Sequence, residues 1–423
     1  MASLTNHPNC SHRPVHGQSP RQGRYQGLAR GLARVLAIAG LALAAPLTLA
    51  ADAMAGMTMG GKAELGSSAA FAPDGQLVVV TKQGEHLVLY RSPDEGRTWT
   101  APTLVNAQPE PISADGENRP KLAFTPDGGT LVAWTHPLAK PYTGQIRLAR
   151  SDNGRDFAAP LTVHRDTAEI THRFESLVVA PDGRVIVAWI DKRDMEAAKA
   201  GKTAYRGAAI YSAVSGDGGR SFQAERKVAD HSCECCRIAT AVDRDGTPLL
   251  LWRHVFAPNE RDHALARLKA DGTAIEVRRA TFDRWRVDAC PHHGPSLAVD
   301  AAGTRHAVWF NQKDGEGHVF YGRLEEHNGD LSVAGQRPIG GPQAAHADIA
   351  TTGQRLAIVW KEFDGERTRL DGLLSTDGGQ SFTSLSLAST AGASDQPRLI
   401  ARGDALFVFW RTANEGFTTH RLP

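Results

Sequence analysis

Phe174-Glu-Ser-Leu-Val-Val-Ala-Pro-Asp-Gly-Arg-Val-Ile-Val-Ala-Trp189 is a hairpin written in sequence. A short apolar run precedes Pro-Asp-Gly, a second follows, and the second ends in Trp. Val, Ile and Leu favour extended backbone, and Asp-Gly supplies the turn between two strands. The second run, Val185-Ile-Val-Ala-Trp189, is apolar on both faces. A strand with one wet face would alternate, so this one is expected to lie between two layers.

The phrase recurs from Ser67 (SSAAFAPDGQLVVVTK), Arg119 (RPKLAFTPDGGTLVAW), Arg237 (RIATAVDRDGTPLLLW), Gly294 (GPSLAVDAAGTRHAVW), His346 (HADIATTGQRLAIVW) and Gln396 (QPRLIARGDALFVFW). Seven copies at intervals of about fifty to sixty residues have the spacing of propeller blades. The length of 423 residues alone suggests two or three domains, but one closed repeat fold can take up the whole chain. The expected architecture is therefore an all-β propeller of four-stranded blades over residues 64–423, with seven blades favoured and six as the alternative. The last copy has room for three strands before Pro423. The fourth is expected from the start of the mature chain, near Gly60–Leu65, where it would remove an open sheet edge. Trp134, Trp189, Trp252, Trp309, Trp360 and Trp410 fall at the same place in successive copies, which inter-blade packing requires.

The ends of the chain carry a different signal. Arg13, Arg21, Arg24, Arg30 and Arg34 occur with no acidic residue, ahead of an apolar run from Val35 to Ala50. A basic stretch, a short apolar core and small residues at a cut site describe a secretory signal peptide. Cleavage is expected after Ala50 or Ala53, which assigns residues 1–53 to the leader and residues 54–63 to a Met-rich segment. The mature protein would be periplasmic or secreted. Losing five positive charges from the formal +2 leaves about −3, and this balance does not indicate nucleic acid as a partner. No later apolar run is long enough to span a bilayer.

A second motif follows several copies. Ser92-Pro-Asp-Glu-Gly-Arg-Thr-Trp99, Ser215-Gly-Asp-Gly-Gly-Arg-Ser-Phe222 and Ser375-Thr-Asp-Gly-Gly-Gln-Ser-Phe382 share Ser-x-Asp-x-Gly-x-Thr/Ser-aromatic. Arg150-Ser-Asp-Asn-Gly-Arg-Asp-Phe157 fits with Arg in the first place, and Lys269-Ala-Asp-Gly272 and His327-Asn-Gly329 stand where blades four and five have lost it. An Asp that caps its own turn, closed by a buried aromatic, accounts for the spacing. The pattern resembles the Asp box of the sialidase and BNR-repeat families. The resemblance implies a sialidase-like propeller and, as an alternative function, exo-sialidase-type glycoside hydrolysis. It also implies an arginine clamp for a carboxylated sugar, which Arg119, Arg173 and Arg237 would form from three consecutive blades. Such enzymes use a Tyr nucleophile activated by Glu. Tyr321, with Glu325 and Glu326 after it, sits in an apparent strand, and the family's Arg-Ile-Pro segment is missing.

The remaining chemistry is in the thiols. The four cysteines of the mature chain lie in two clusters, Cys233-Glu-Cys235-Cys236 and Cys290-Pro-His292-His293, one blade apart and each just before an inner strand. Repeat geometry should bring them together at one end of the channel. Two disulfides are one outcome in an oxidising compartment. A metal site is the other, since thiolates and imidazoles suit copper, with zinc second. Met54, Met57 and Met59 could add thioether ligands for copper. The leading expectation is an exported binding or metal-handling propeller whose partner is a metal ion or small molecule. A scaffold for another protein is the third.

Overall fold

The structure, a computed structural model, describes residues 64–313 and 315–423. The expected leader over residues 1–53, and with it Met54, Met57 and Met59, lies outside the described residues.

Seven antiparallel sheets follow one another along the chain, six of four strands and the last of three among the described residues. Their first strands are Ser67–Phe71, Lys121–Phe124, His172–Val179, Ala239–Val242, Ser296–Val299, Ala344–Thr352 and Arg398–Arg402. Each first strand touches the first strand of the next sheet, and Arg398–Arg402 touches Ser67–Phe71. The sheets therefore form a closed ring of seven blades, with the first strands around the axis. Six blades, the alternative, is excluded by this closure.

Burial follows the sequence pattern. The second strands Val185–Asp191 and Pro248–Arg253 are buried at every position. The first strand Lys121–Phe124 is half-buried throughout, because one side faces the central channel. All six repeated tryptophans are buried. Five indole N–H groups have acceptors, such as Asp191 Oδ2 for Trp189 at 2.9 Å, whereas Trp252 Nε1 has none. Asp191 and Glu362, each two residues past a repeated Trp, are both buried. Asp191 is taken by Trp189 and Arg193, and Glu362 by the Gly341 amide.

The Ser-x-Asp turns share one hydrogen-bond plan. Ser215 Oγ accepts from Gly219 N at 2.7 Å and donates to Asp217 Oδ1 at 2.6 Å, while Asp217 Oδ1 accepts from Ser221 N at 2.9 Å. Ser92 with Asp94 and Ser375 with Asp377 repeat it. Gly219 is required twice over. Its φ is +94°, and a Cβ would stand 2.8 Å from Leu131 of the preceding blade. In blade 2 the register differs from the expected one. Ser151, not Arg150, takes the serine place, donating to Asn153 Oδ1 at 3.1 Å in a turn one residue shorter. Arg150 instead reaches across to Gly218 O of blade 3.

The expected strand from Gly60–Leu65 is not found where described: Gly60–Ala63 lie outside the described residues, and Glu64 and Leu65 are not in a strand. Among the described residues the ring closes by packing and hydrogen bonds between blades 1 and 7. Phe71 and Phe407 meet at 4.9 Å between ring centres, and Ser67 N donates to Asp395 Oδ2 at 3.1 Å.

Candidate functional site

The segments ahead of the first strands run from the rim of one blade to the axis of the next, so they gather at one mouth of the channel. Two strand irregularities sharpen this. The first strands of blades 3 and 6 bulge at the mouth, with Phe174 at φ +59° and His346 at φ +55°. Bulges of this kind re-aim the adjoining side chains.

Glu117 occupies the centre. Its Oε2 accepts from the backbone N–H groups of Arg237 and Gly294, both at 2.9 Å. Its Oε1 accepts from Arg237 Nη1 at 2.9 Å and Gln396 Nε2 at 2.8 Å, with His346 Nδ1 at 3.3 Å. One carboxylate thus ties segments of five blades. Burial opposes its charge, but the Arg237 guanidinium and His346 outweigh that and hold the carboxyl well below its usual range. Arg119 makes a bidentate pair with Asp395, at 2.9 and 3.0 Å. Arg173 lies 3.9 Å from Asp115 and over the Phe174 ring. The three arginines expected to clamp a carboxylate therefore all face carboxylates of the chain itself, and two of them are fully engaged.

The thiols lie beside this hub. Segment 233–238 leaves the outer strand of blade 3, and its Cys233 N–H donates to Arg253 O at 2.9 Å. Cys233, Cys235 and Cys236 are buried in an apolar cluster with Ile238 and Trp252, against which Cys290 packs. The Cys233 sulfur is 3.8 Å from each of the Cys235 and Cys236 sulfurs, and all three sulfurs lie within 4.8 Å of one another. Cys290, arriving from the blade 4 to blade 5 connection, shares a side-chain hydrogen bond with Cys235. No disulfide joins any of the four. Hydrogen bonds from the Cys235 and Cys236 thiols hold Cys233 well below the ordinary thiol range, with the Arg261 and Arg253 charges adding to this. Cys235 and Cys236 are pushed up, chiefly by their hydrogen bonds to Cys233. Arg261 Nη1 stands 3.6 Å from the Cys233 sulfur.

Neither histidine of the second cluster joins the group of sulfurs that lie within 4.8 Å of one another. His292 is exposed at φ +53°. His293 is stacked between Phe310 and His346, at 4.3 and 4.5 Å. Burial lowers its pKa to about 3, so it is a neutral ring. The expectation that both clusters meet is thus met by Cys290 alone.

Below the mouth the channel widens into a cavity of about 260 Å³. Its wall includes Lys121 and Arg398, which sequence reasoning did not single out. The signal was present, since Pro120-Lys121-Leu122 and Pro397-Arg398-Leu399 occupy the same place in two copies. Tyr321, the tyrosine candidate, is buried between blades 5 and 6 and hydrogen-bonded to His306 at 3.0 Å. It is not among the residues that line this cavity.

Neither a protein-family model nor a curated protein matches the chain. Solved structures do resemble it. An ulvan lyase, described as a polysaccharide lyase of a new family, aligns with TM-score 0.54 at 13% identity over 83% of this chain and 90% of its own. An α-L-arabinofuranosidase from Fusarium graminearum aligns with TM-score 0.50 at 13% identity over 85% and 92%. A leech intramolecular trans-sialidase gives TM-score 0.49 at 9% identity over 82% of each chain. At these identities the likeness is one of fold: a propeller of the kind seen in the ulvan lyase and the arabinofuranosidase. No helix among the described residues is long and apolar enough to cross a membrane.

Proposed function

We propose that this protein is exported and binds a soft metal ion, copper(I) ahead of zinc, through Cys233, Cys235 and Cys236, with Cys290 completing the set. The carrying observation is the pair of 3.8 Å sulfur–sulfur separations around Cys233. Metal–thiolate bonds of about 2.3 Å in tetrahedral geometry set sulfurs about 3.8 Å apart. Two edges of the buried triad therefore already have the length of a coordination polyhedron's edge, and the third lies within 4.8 Å. Arg253 and Arg261 offset the charge that thiolates would bring into an apolar cluster. The proposal omits His292 and His293 from the ligand set. Met54, Met57 and Met59 remain accessory candidates, and they are the reason copper precedes zinc. In the same reading the Ser-x-Asp turns are Asp boxes of the BNR type that shape the rim.

The test is elemental analysis of the protein purified from the export compartment without chelator, beside Cys233→Ser. One copper or zinc ion per chain, lost in the variant, is expected. A metal-free chain whose four cysteines are all disulfide-bonded would overturn the proposal.

A carbohydrate-acting reading draws on the named activities of the fold neighbours and on the cavity at the axis. Its sialidase form is disfavoured because Arg119 and Arg237, two of the three clamp arginines, already have their guanidinium nitrogens taken by groups of the chain itself. Turnover of a fluorogenic sialoside that disappears in Arg237→Ala would restore it. A scaffold role gains only if metal and sugar both fail to bind.

A further inference from the structure

Strand register places one residue of each blade at the same level of the channel. Ser68, Lys121, Ser176, Ala239, Ser296, Asp348 and Arg398 each pair with the second-strand residue one place before the repeated Trp position, as Lys121 does with Ala133 and Arg398 with Phe409. All seven line the 260 Å³ cavity. Four are small and leave the space. Of the three charged members, Asp348 is spent: it accepts from Ser296 Oγ at 2.7 Å and from Leu399 N at 2.8 Å, with Arg398 Nη1 at 3.3 Å. The ring therefore keeps an excess positive charge at Lys121, with Ser68 the only ring member between it and Arg398.

We propose that this ring binds a small 2-oxo acid or carboxylated aldehyde, with Arg398 holding the carboxylate and the Lys121 amine condensing with the carbonyl as a reversible imine. The nitrogen lone pair attacks the carbonyl carbon, a C–N bond forms, and the oxygen leaves as water with the two amine protons. No electrons are gained or lost.

The setting suits an amine nucleophile, which is activated by desolvation and by neighbouring cations. Lys121 keeps accessible surface, but that surface opens into the channel rather than outward. The ammonium, a group with three donors, donates to Arg119 O at 2.7 Å. Burial lowers its pKa to about 8, with the Arg119 and Arg398 charges adding and the Glu175 and Glu117 carboxylates opposing. That leaves a free-amine fraction at neutral pH more than about a hundredfold above an ordinary lysine. Glu175, the acid that couples most strongly to it, is itself pushed up by burial, and its Oε1 is buried without a partner. This inference is independent of the thiol site.

The experiment treats the folded full chain with glyoxylate and cyanoborohydride, then maps modified peptides by mass spectrometry. One carboxymethyl group on Lys121 is expected, forming at least about tenfold faster than on the exposed Lys199 and Lys269. The preference should vanish in denaturant. Arg398→Gln should slow glyoxylate at Lys121 while leaving its reaction with formaldehyde, which has no carboxylate, unchanged. Equal labelling of Lys121, Lys199 and Lys269 in the folded protein overturns the proposal. So does glyoxylate labelling of Lys121 that is indifferent to Arg398→Gln.

Discussion

Arg237 donates to Glu117 twice, through its backbone N–H to Oε2 and through Nη1 to Oε1, each at 2.9 Å, across 120 residues of sequence. Both residues are buried. The pair therefore works as an axial pin between blades 2 and 4, and Gly294, His346 and Gln396 hang on the same carboxylate. Removing one partner of a buried ion pair leaves the other charge stranded, at about 3–5 kcal/mol. Glu117→Ala should lower stability by that order in urea unfolding. Combined with Arg237→Ala, the loss should be well short of additive, because the two residues share one network.

Acid should weaken the fold before it titrates ordinary surface carboxylates. His164 is lowered to about 4, and His254 and His293 to about 3, each mainly by burial. For a group whose folded pKa lies below its unfolded value, the unfolded chain binds more protons as pH falls. Stability is then full above about pH 6.5 and is lost on the way down, on the order of 1 kcal/mol per pH unit for each histidine. Glu117, also depressed, adds to the loss in the same direction below its unfolded pKa of about 4.3. Denaturation midpoints measured from pH 7.5 to 3.5 should stay level down to about pH 6.5 and fall below it, and Glu117→Gln should flatten only the part below about pH 4.3.

Metal binding by the thiol triad should appear as stability. A ligand that binds only the folded state, at a thousand times its dissociation constant, adds about 4 kcal/mol. Copper(I) supplied under reducing conditions should raise the melting temperature of the native chain and leave Cys233→Ser unmoved. Cys290→Ser should keep part of the shift, since Cys290 stands against Cys235 outside the tight triad.

The seam between blades 1 and 7 holds the ring shut without a described shared strand. Phe407 is fully buried there against Phe71. Phe407→Ala should cost about 3–5 kcal/mol, as for other buried aromatics. Hydrogen exchange should accelerate first in Ser67–Phe71 and Ala405–Thr412, the strands that face the seam. Uniform acceleration around the ring would show that the seam is no weaker than the other blade contacts.

Much of this was legible in the chain. The repeated hairpin with its closing Trp announces blade number and strand order, because period and apolar width are local properties. The Asp-turn motif was legible for the same reason, apart from the one-residue shortening at Ser151, which only the hydrogen bonds reveal. The meeting of Cys235 with Cys290 followed from repeat spacing. The absence of His292 and His293 from the group of sulfurs did not, because a positive φ at His292 and the stacking of His293 on Phe310 redirect the chain.

What the sequence determined by itself was the wheel: seven equivalent hairpins can bury their two-faced second strands only between neighbours. What only the tertiary structure decided was partnership. Glu117 reaching Arg237 and Asp395 reaching Arg119 depend on side-chain reach across the axis. Strand register and bulges set that reach, and no spacing in the chain encodes it.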